Sequence, residues 1–181
     1  MKTTGVTRRV DELGRVVIPK EFRRILRIRI GELVEINLNK SGELSLKKYS
    51  PFGELGNLAR EYTESLCLIT GMTSLVCNTE IFIASSSIGK SSLKGKKISD
   101  KLINIITDGS LYTSGQDEKE PLIPLTEDDD FTGYSNQLIC PIVFLGNSVG
   151  AVILIGKKPT DIVEQKLIQT ATDFFVRMME D

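Results

Sequence analysis

Short apolar segments alternate with turn-forming residues over the first fifty positions. Two β-branched segments, GVTRRV and GRVVIP, flank the turn-like residues DELG. Val34, Ile36 and Leu38 then alternate with polar residues, and after the turn NKSG the alternation resumes at Leu44 and Leu46. One apolar face per strand is typical of a half-buried antiparallel sheet. With a helix between the two pairs, the pattern predicts the order strand, strand, helix, strand, strand.

The remaining residues combine helical and strand patterns. Apolar positions at helical spacing predict a helix that Gly71 ends. These positions are Leu55, Leu58, Ala59, Tyr62, Leu66 and Ile69. SLVC and EIFIASS predict one hairpin, and QLICPIVFL and SVGAVILIG predict a second, joined through Gly146 and Asn147. A last helix is predicted from about Asp161, which forms a near capping box with Glu164.

The last helix has an apolar stripe wider than packing on one sheet requires. It consists of Val163, Leu167, Ile168, Ala171, Phe174, Phe175, Met178 and Met179. Either the helix is sandwiched within its own domain, or its second side contacts another subunit. Helices that flank an antiparallel sheet make the expected fold class α+β.

The 181 residues suit two small domains, with a boundary in YSPFG because Pro51 ends any strand. We expect a domain at residues 1–50, a linker and helix start at 51–55, and a second domain at 56–181. Fifty residues with such short strands bury too little apolar surface to be stable alone. The first domain is therefore expected to fold as an intertwined dimer whose core two chains share.

The composition disfavours catalysis. The chain has no histidine, which removes histidine-based triads and nearly every zinc site, so we expect no catalytic residue and no metal. Three widely spaced cysteines without a CxxC pair indicate reduced, buried thiols in the cytoplasm. The longest aliphatic run, GAVILIG, is too short to span a bilayer, and the start does not resemble a signal peptide.

Charge is distributed unevenly. Residues 1–50 hold twelve Lys and Arg against six Asp and Glu, whereas the rest of the chain holds eleven against eighteen. A basic first domain on an acidic second one indicates that only the first meets a polyanion.

The helix predicted from Lys20 to Ile28 has one cationic face. On a helical wheel, its basic residues share an arc of roughly 100°, opposite Phe22, Ile25 and Leu26. The basic residues are Lys20, Arg23, Arg24 and Arg27, and Arg8, Arg9 and Arg15 from the preceding strands extend the surface. A merely solvated helix face is the plainer interpretation, but it often supplies acids at i+4, which the three helix arginines lack. We therefore predict a nucleic-acid interface.

Residues 4–49 closely resemble the swapped-hairpin DNA-binding domain of AbrB-type transition-state regulators. The most specific part is VDELGRVVIPKEFRR. The resemblance implies a dimeric domain that binds double-stranded DNA, and it places the DNA-contacting arginines at Arg8, Arg15, Arg23 and Arg24. Strand alternation instead groups Arg8 with apolar neighbours and makes Arg9 the outward residue, so both are retained with Arg8 ranked first.

A first domain of this kind followed by a folded second one resembles sporulation regulators of this family. The resemblance implies a GAF-like second domain, control of late forespore genes as activator or repressor, and a cytoplasmic protein of the forespore. It also implies a tetramer assembled through the GAF helices. The second domain is expected either to sense a small molecule or to serve as a scaffold, and its residues name no cofactor.

Alternatives are tied to particular segments. ASSSIGKSS, residues 84–92, nearly matches a phosphate-binding Walker loop, which would make the protein a nucleotide-binding enzyme, but Ala84 stands where glycine is required. TEDDDF, residues 126–131, lacks the spacing of a calcium loop and is interpreted as a mobile acidic surface loop. The first domain also occurs in antitoxins, although their tails are short and disordered.

Overall fold

The structure is a computed structural model that describes residues 5–26, 28–31, 33–49, 52–87, 92–115 and 120–180. It divides into two compact units, Met1–Tyr49 and Ser50–Asp181, each with its own secondary structure. Over the described ranges, none of the helices is long and apolar enough to cross a membrane.

The first unit contains one short helix and one hairpin. The helix is α1 (Lys20–Ile25), and the hairpin consists of β1 (Val34–Leu38) and β2 (Leu44–Lys48). The strands are antiparallel, with Ile36 opposite Leu46 and Leu38 opposite Leu44. This confirms the predicted hairpin and its alternation.

The two strands predicted before α1 are not formed in the single chain. Residues 5–10 and 15–19 are in no strand, although the turn predicted at DELG is present. The Asp11 N–H donates to the Arg15 carbonyl at 3.0 Å and the Gly14 N–H to the Asp11 carbonyl at 3.0 Å. Gly14 has φ +77°, a conformation that suits glycine. A strand requires a neighbour for its backbone groups, and the described part of one chain supplies none here.

The first unit leaves most of its large apolar side chains exposed. Ile28 is buried, but Ile36, Leu38 and Leu44 on the hairpin are 63%, 69% and 68% exposed. Other exposed apolar residues are Val6, Val10, Leu13, Val16, Val17, Ile25, Ile30 and Leu33. One copy of this unit therefore does not enclose a core.

The second unit has three helices and five strands. The elements are α2 (Phe52–Thr70), β3 (Thr73–Asn78), β4 (Phe82–Ser86), α3 (Asp100–Asp108), β5 (Tyr112–Ser114), β6 (Asn136–Phe144), β7 (Asn147–Gly156) and α4 (Ile162–Glu180). The strands form one antiparallel sheet in the order β4-β3-β7-β6-β5. The fold class is α+β, as predicted.

Helices cover both faces of this sheet. Side chains of α2 and α4 pack against Val76, Val152 and other residues on one face. Side chains of α3 pack against Leu75, Ile153 and others on the opposite face. Neighbouring residues of each strand thus belong to separate cores, which explains why residues 138–142 of β6 and 151–155 of β7 are continuously apolar.

Both predicted hairpins of the second unit are confirmed. The turn between β6 and β7 contains Leu145 and Gly146, with φ of +48° and +75°.

The helix predicted from Leu55 begins earlier, at Phe52, so most of the predicted linker at 51–55 is helical. Ile69, predicted to be on its buried side, is 69% exposed. Helix α3 and strand β5 were not predicted.

Candidate nucleic-acid interface

The turn before α1 organises the first predicted contact residue. The Asp11 Oδ1 atom accepts the backbone N–H groups of Leu13 at 3.0 Å and Arg15 at 2.8 Å. Its Oδ2 atom accepts the Arg15 Nε–H at 2.8 Å. Bonds from the backbone and the guanidinium of Arg15 hold the pKa of Asp11 below its ordinary value. The Arg15 side chain is nevertheless 72% exposed.

Helix α1 is shorter than predicted. It ends at Ile25, and the Leu26 N–H closes its last turn on the Phe22 carbonyl. The Ile28 N–H bonds to the Arg23 carbonyl, five residues earlier rather than the four of an α-helix. The six-residue helix contains Lys20, Arg23 and Arg24. Arg27, the fourth basic residue predicted for this helix, lies outside the described residues.

The predicted division of α1 into an apolar and a cationic face is only partly present. Phe22 and Leu26 are half-buried as expected, and Lys20 and Arg24 are exposed. Ile25, however, is 74% exposed, and Arg23 is half-buried. Ile25 is therefore part of the apolar surface that a single copy of the unit leaves exposed.

Most of the cations of this interface are unpaired. Arg8, Arg9, Lys20, Arg23 and Arg24 form no ion pair with any residue that the structure describes. Arg15 is the exception, through Asp11. Helical spacing does not predict this pair, because Asp11 and Arg15 lie in a turn and not in a helix. Unpaired guanidinium groups on an exposed surface are available to phosphate oxygens and base edges.

Arg8 and Arg9 lie in the segment that enters the turn. All residues from 5 to 10 are exposed, so burial in one chain does not separate Arg8 from Arg9. Both therefore stay candidates.

The second unit contains a cavity of about 390 Å³ on the sheet face that carries α3. Its polar lining consists of Thr73, Ser85, Ser87, Lys96, Thr126, Asp128, Asp129, Asp130, Thr132 and Tyr134. Sequence reasoning did not predict it, because its wall comes from the segment interpreted as a mobile acidic loop.

That acidic segment is a surface loop, as predicted, and its side chains bond to one another and to neighbouring segments. The carboxylate of Asp129 accepts the N–H groups of Leu125 at 2.8 Å and Phe131 at 3.0 Å, and the Tyr134 hydroxyl at 2.6 Å. Burial and this bond to a carboxylate raise the pKa of Tyr134. Glu127 reaches the N–H of Asp100, at the start of α3, at 2.8 Å. No group of three potential metal ligands occurs among the described residues.

Among the described residues, no helix follows directly after the near-Walker segment, as one does in a phosphate-binding loop. After β4 the chain returns along the strand, where the Phe82 N–H donates to the Lys96 carbonyl and the Gly95 N–H to the Phe82 carbonyl. The next helix, α3, begins only at Asp100. Residues 88–91, including Lys90, lie outside the described residues.

Comparison with known proteins agrees with this division. Residues 54–180 match the family described as stage V sporulation protein T C-terminal, transcription factor. Residues 7–54 match the family described as antidote-toxin recognition MazE, bacterial antitoxin.

Two relatives come from Bacillus subtilis (strain 168). Stage V sporulation protein T is 41% identical over 181 residues, which is 99% of each chain. The transition state regulatory protein AbrB is 53% identical over 51 residues, 28% of this chain and 52% of that protein. Among solved structures, the blue-light absorbing form of the Thermosynechococcus elongatus PixJ GAF-domain is similar, with a TM-score of 0.53, 14% identity, and coverage of 72% of this chain and 90% of that chain.

An AbrB-type basic unit followed by a GAF-like domain defines a DNA-binding transcription regulator of two domains. Its first unit has the excess of basic residues, and its second unit contains the two apolar cores. The chain belongs to the stage V sporulation protein T family.

Proposed function

We propose that the protein regulates transcription as a homo-oligomer that grips duplex DNA with its first domain, residues 1–50. The observation that carries this proposal is the set of unpaired cations around the turn and α1. The proposed contact residues are Arg8, Arg15, Arg23 and Arg24, with Arg9, Lys20 and Arg27 as further contributors. Phosphate contacts supply most of the affinity, and the arginines that reach base edges supply selectivity.

The exposed apolar surface of the first unit supports a dimer. Ile36, Leu38 and Leu44 present an apolar hairpin face, and the segments at residues 5–10 and 15–19 lack strand partners. A second copy would cover the apolar hairpin face and would supply strand partners for the two segments. A swapped hairpin provides both contacts in the same dimer. The cationic residues of both chains then belong to one interface.

The helices of the second domain, residues 56–181, are proposed to join dimers into a tetramer. On α2, Leu68 and Ile69 are 83% and 69% exposed, and on α4, Val163 and Met178 are 57% and 38% exposed. The wide apolar stripe of α4 is thus not enclosed within one domain, which favours a subunit contact.

The cavity beside the acidic segment is the proposed site of a small-molecule effector. Its size suits a metabolite, and its mixture of carboxylates, hydroxyls and Lys96 suits a polar one. Thermal melting with metabolite mixtures should raise the transition of the second domain if a ligand binds. A screen without any shift would favour a scaffold.

We propose that the protein regulates late sporulation genes and acts in the cytoplasm of the forespore. The support is the relative's name and its 41% identity over nearly the whole chain. A DNA-binding regulator also needs access to the chromosome.

The match of residues 7–54 to an antitoxin family keeps one second candidate. The structure disfavours it because residues 52–180 contain a sheet covered by helices rather than a disordered tail. Co-purification of a small toxin with the full chain would revive it.

The most informative experiment is genome-wide footprinting of the full protein in sporulating cells, repeated with Arg23→Ala/Arg24→Ala. We expect discrete sites near late sporulation genes that disappear in the variant. Footprints that persist unchanged would refute the assignment of these residues, and the absence of any footprint would refute the function.

A further inference from the structure

An acidic residue stands in the middle of the cationic segment, between Arg9 and Arg15. A carboxylate close to a DNA-binding surface repels phosphate, so its presence calls for a physical reason. Asp11 has contacts that supply one. Its two carboxylate oxygens have different partners and different tasks.

The first oxygen, Oδ1, shapes the turn by accepting the backbone N–H groups of Leu13 and Arg15. An asparagine side chain has an oxygen that can accept the same two bonds, without a negative charge. The second oxygen, Oδ2, accepts the Nε–H of Arg15 at 2.8 Å and has no other partner among the described residues. The carboxylate of Asp11 therefore holds the guanidinium of Arg15 as well as the turn.

The bond from Nε leaves the rest of the guanidinium free. Within the described residues, the Nη1 and Nη2 groups of Arg15 have no partner, and the side chain is 72% exposed. An arginine has five N–H donors in a planar fork, and one edge is used here. The opposite edge remains for two parallel bonds to a phosphate or to a guanine.

We propose that Asp11 is a positioning residue for DNA binding, which orients the guanidinium of Arg15 so that its Nη edge faces the duplex. This inference rests on the proposed function, because it concerns the same interface. Ordering a long side chain on binding costs conformational entropy and thereby lowers affinity. The bond to Asp11 already orders the Arg15 side chain in the free protein. The affinity gained in this way exceeds the affinity lost through repulsion between Asp11 and the phosphates.

The test uses two variants with the same charge change. Asp11→Asn keeps an oxygen for the turn but replaces the partner of Nε by an NH₂ group. Glu12→Gln removes the neighbouring acid, which has no side-chain bond within the described part of the chain. Binding of the full protein to a labelled mixed-sequence duplex is measured at one fixed salt concentration, with circular dichroism as a check on folding.

The two variants should change affinity in opposite directions. Glu12→Gln should bind equally or slightly more tightly, because an acid near the phosphates is removed. Asp11→Asn should bind about threefold to tenfold more weakly, since Arg15 must now be ordered on binding. In an Arg15→Ala background, Asp11→Asn should lose this penalty and behave like Glu12→Gln.

Each other outcome overturns the inference. Tighter binding by Asp11→Asn would show that its charge only repels DNA. A loss that persists in the Arg15→Ala background would assign Asp11 to the turn alone. In both cases wild-type binding leaves the proposed function standing, whereas a wild-type protein that binds no duplex DNA refutes both.

Discussion

The start of α4 shows how a buried charge is stabilised at the residue scale. Glu164 is only 4% exposed. Its Oε2 atom accepts the Asp161 N–H at 3.1 Å, and its Oε1 atom accepts a bond from Lys158 Nζ at 3.1 Å. Burial disfavours its charge, but these bonds outweigh burial and lower the pKa to about 2. Glu164 therefore stabilises the fold in its ionised form.

This arrangement predicts a dependence on pH. A carboxyl group with a lowered pKa stabilises the fold above its ordinary pKa of 4.5, and that contribution is lost as the pH falls toward about 2. We expect Glu164→Gln to lower the free energy of unfolding by about 1–2 kcal/mol at neutral pH. The difference from wild type should shrink near pH 3, which urea unfolding at both pH values measures.

Glu61 provides the control for this prediction. Its side chain is 67% exposed, so Glu61→Gln should change stability little at either pH. An equal loss in Glu61→Gln, or a constant difference for Glu164→Gln across the pH range, would contradict the role of the buried carboxylate.

Sequence spacing predicts some of these side-chain pairs and not others. The Asp161–Glu164 capping arrangement follows from helix geometry, and the structure confirms it with the Val163 N–H bonded to Asp161 at 2.7 Å. The Asp11–Arg15 pair has the same kind of short spacing but depends on the course of a turn, which a helical template does not describe.

Helix α3 illustrates the element scale. Its N-cap is Ser99, whose hydroxyl accepts the Leu102 N–H at 3.0 Å and donates to the Pro124 carbonyl. The Ser99 N–H also bonds to the Leu125 carbonyl at 3.0 Å. One residue thus caps the helix and fixes the segment that leads into the wall of the cavity.

Loss of this cap should destabilise the second domain. We expect Ser99→Ala to lower the free energy of unfolding by about 1–3 kcal/mol, because Ser99 is buried and its partners stay unsatisfied. Ser110→Ala, at an exposed position without these contacts, is the control. Chemical denaturation checks both, and equal stabilities would refute the capping role.

The elements that sequence reasoning found are those with long periodic patterns. Helices α2 and α4 and the two hairpins of the second unit have enough apolar positions to fix their type. Helix α3 has only nine residues, so its signals are short: Ser99 and Gly109 at its two caps, and Leu102 and Ile106 on its buried side. Strand β5, three residues long, exists because β6 provides an edge to pair with, which no local pattern reveals.

At the scale of the whole molecule, the two units differ in what one chain accomplishes. The second unit buries two apolar cores around its sheet. The first leaves its hairpin face exposed and two predicted strands unformed. The pattern of apolar residues predicts those strands correctly only if a partner chain is assumed, because strand formation depends on what lies alongside.

The dimer is tested by a charge on the exposed hairpin face. We expect Ile36→Lys to reduce the assembly measured by sedimentation at a given concentration and to lower DNA affinity with it, since a buried lysine is costly at a shared core. Ser45→Lys adds the same charge on the same hairpin at an exposed polar position. Identical behaviour of the two variants would contradict the shared core.

The central claim, that the cations of the first unit bind the DNA backbone, is tested most directly by titrating duplex binding of the full protein against salt. We expect the logarithm of the affinity to fall linearly and steeply with the logarithm of the salt concentration. Arg23→Ala/Arg24→Ala should weaken binding and reduce this slope by about one for each phosphate that the variant no longer neutralises. Lys94→Ala/Lys101→Ala, an equal charge change at exposed positions of the second unit, should leave the slope unchanged. A salt-independent affinity, or equal losses in both double variants, would contradict the claim.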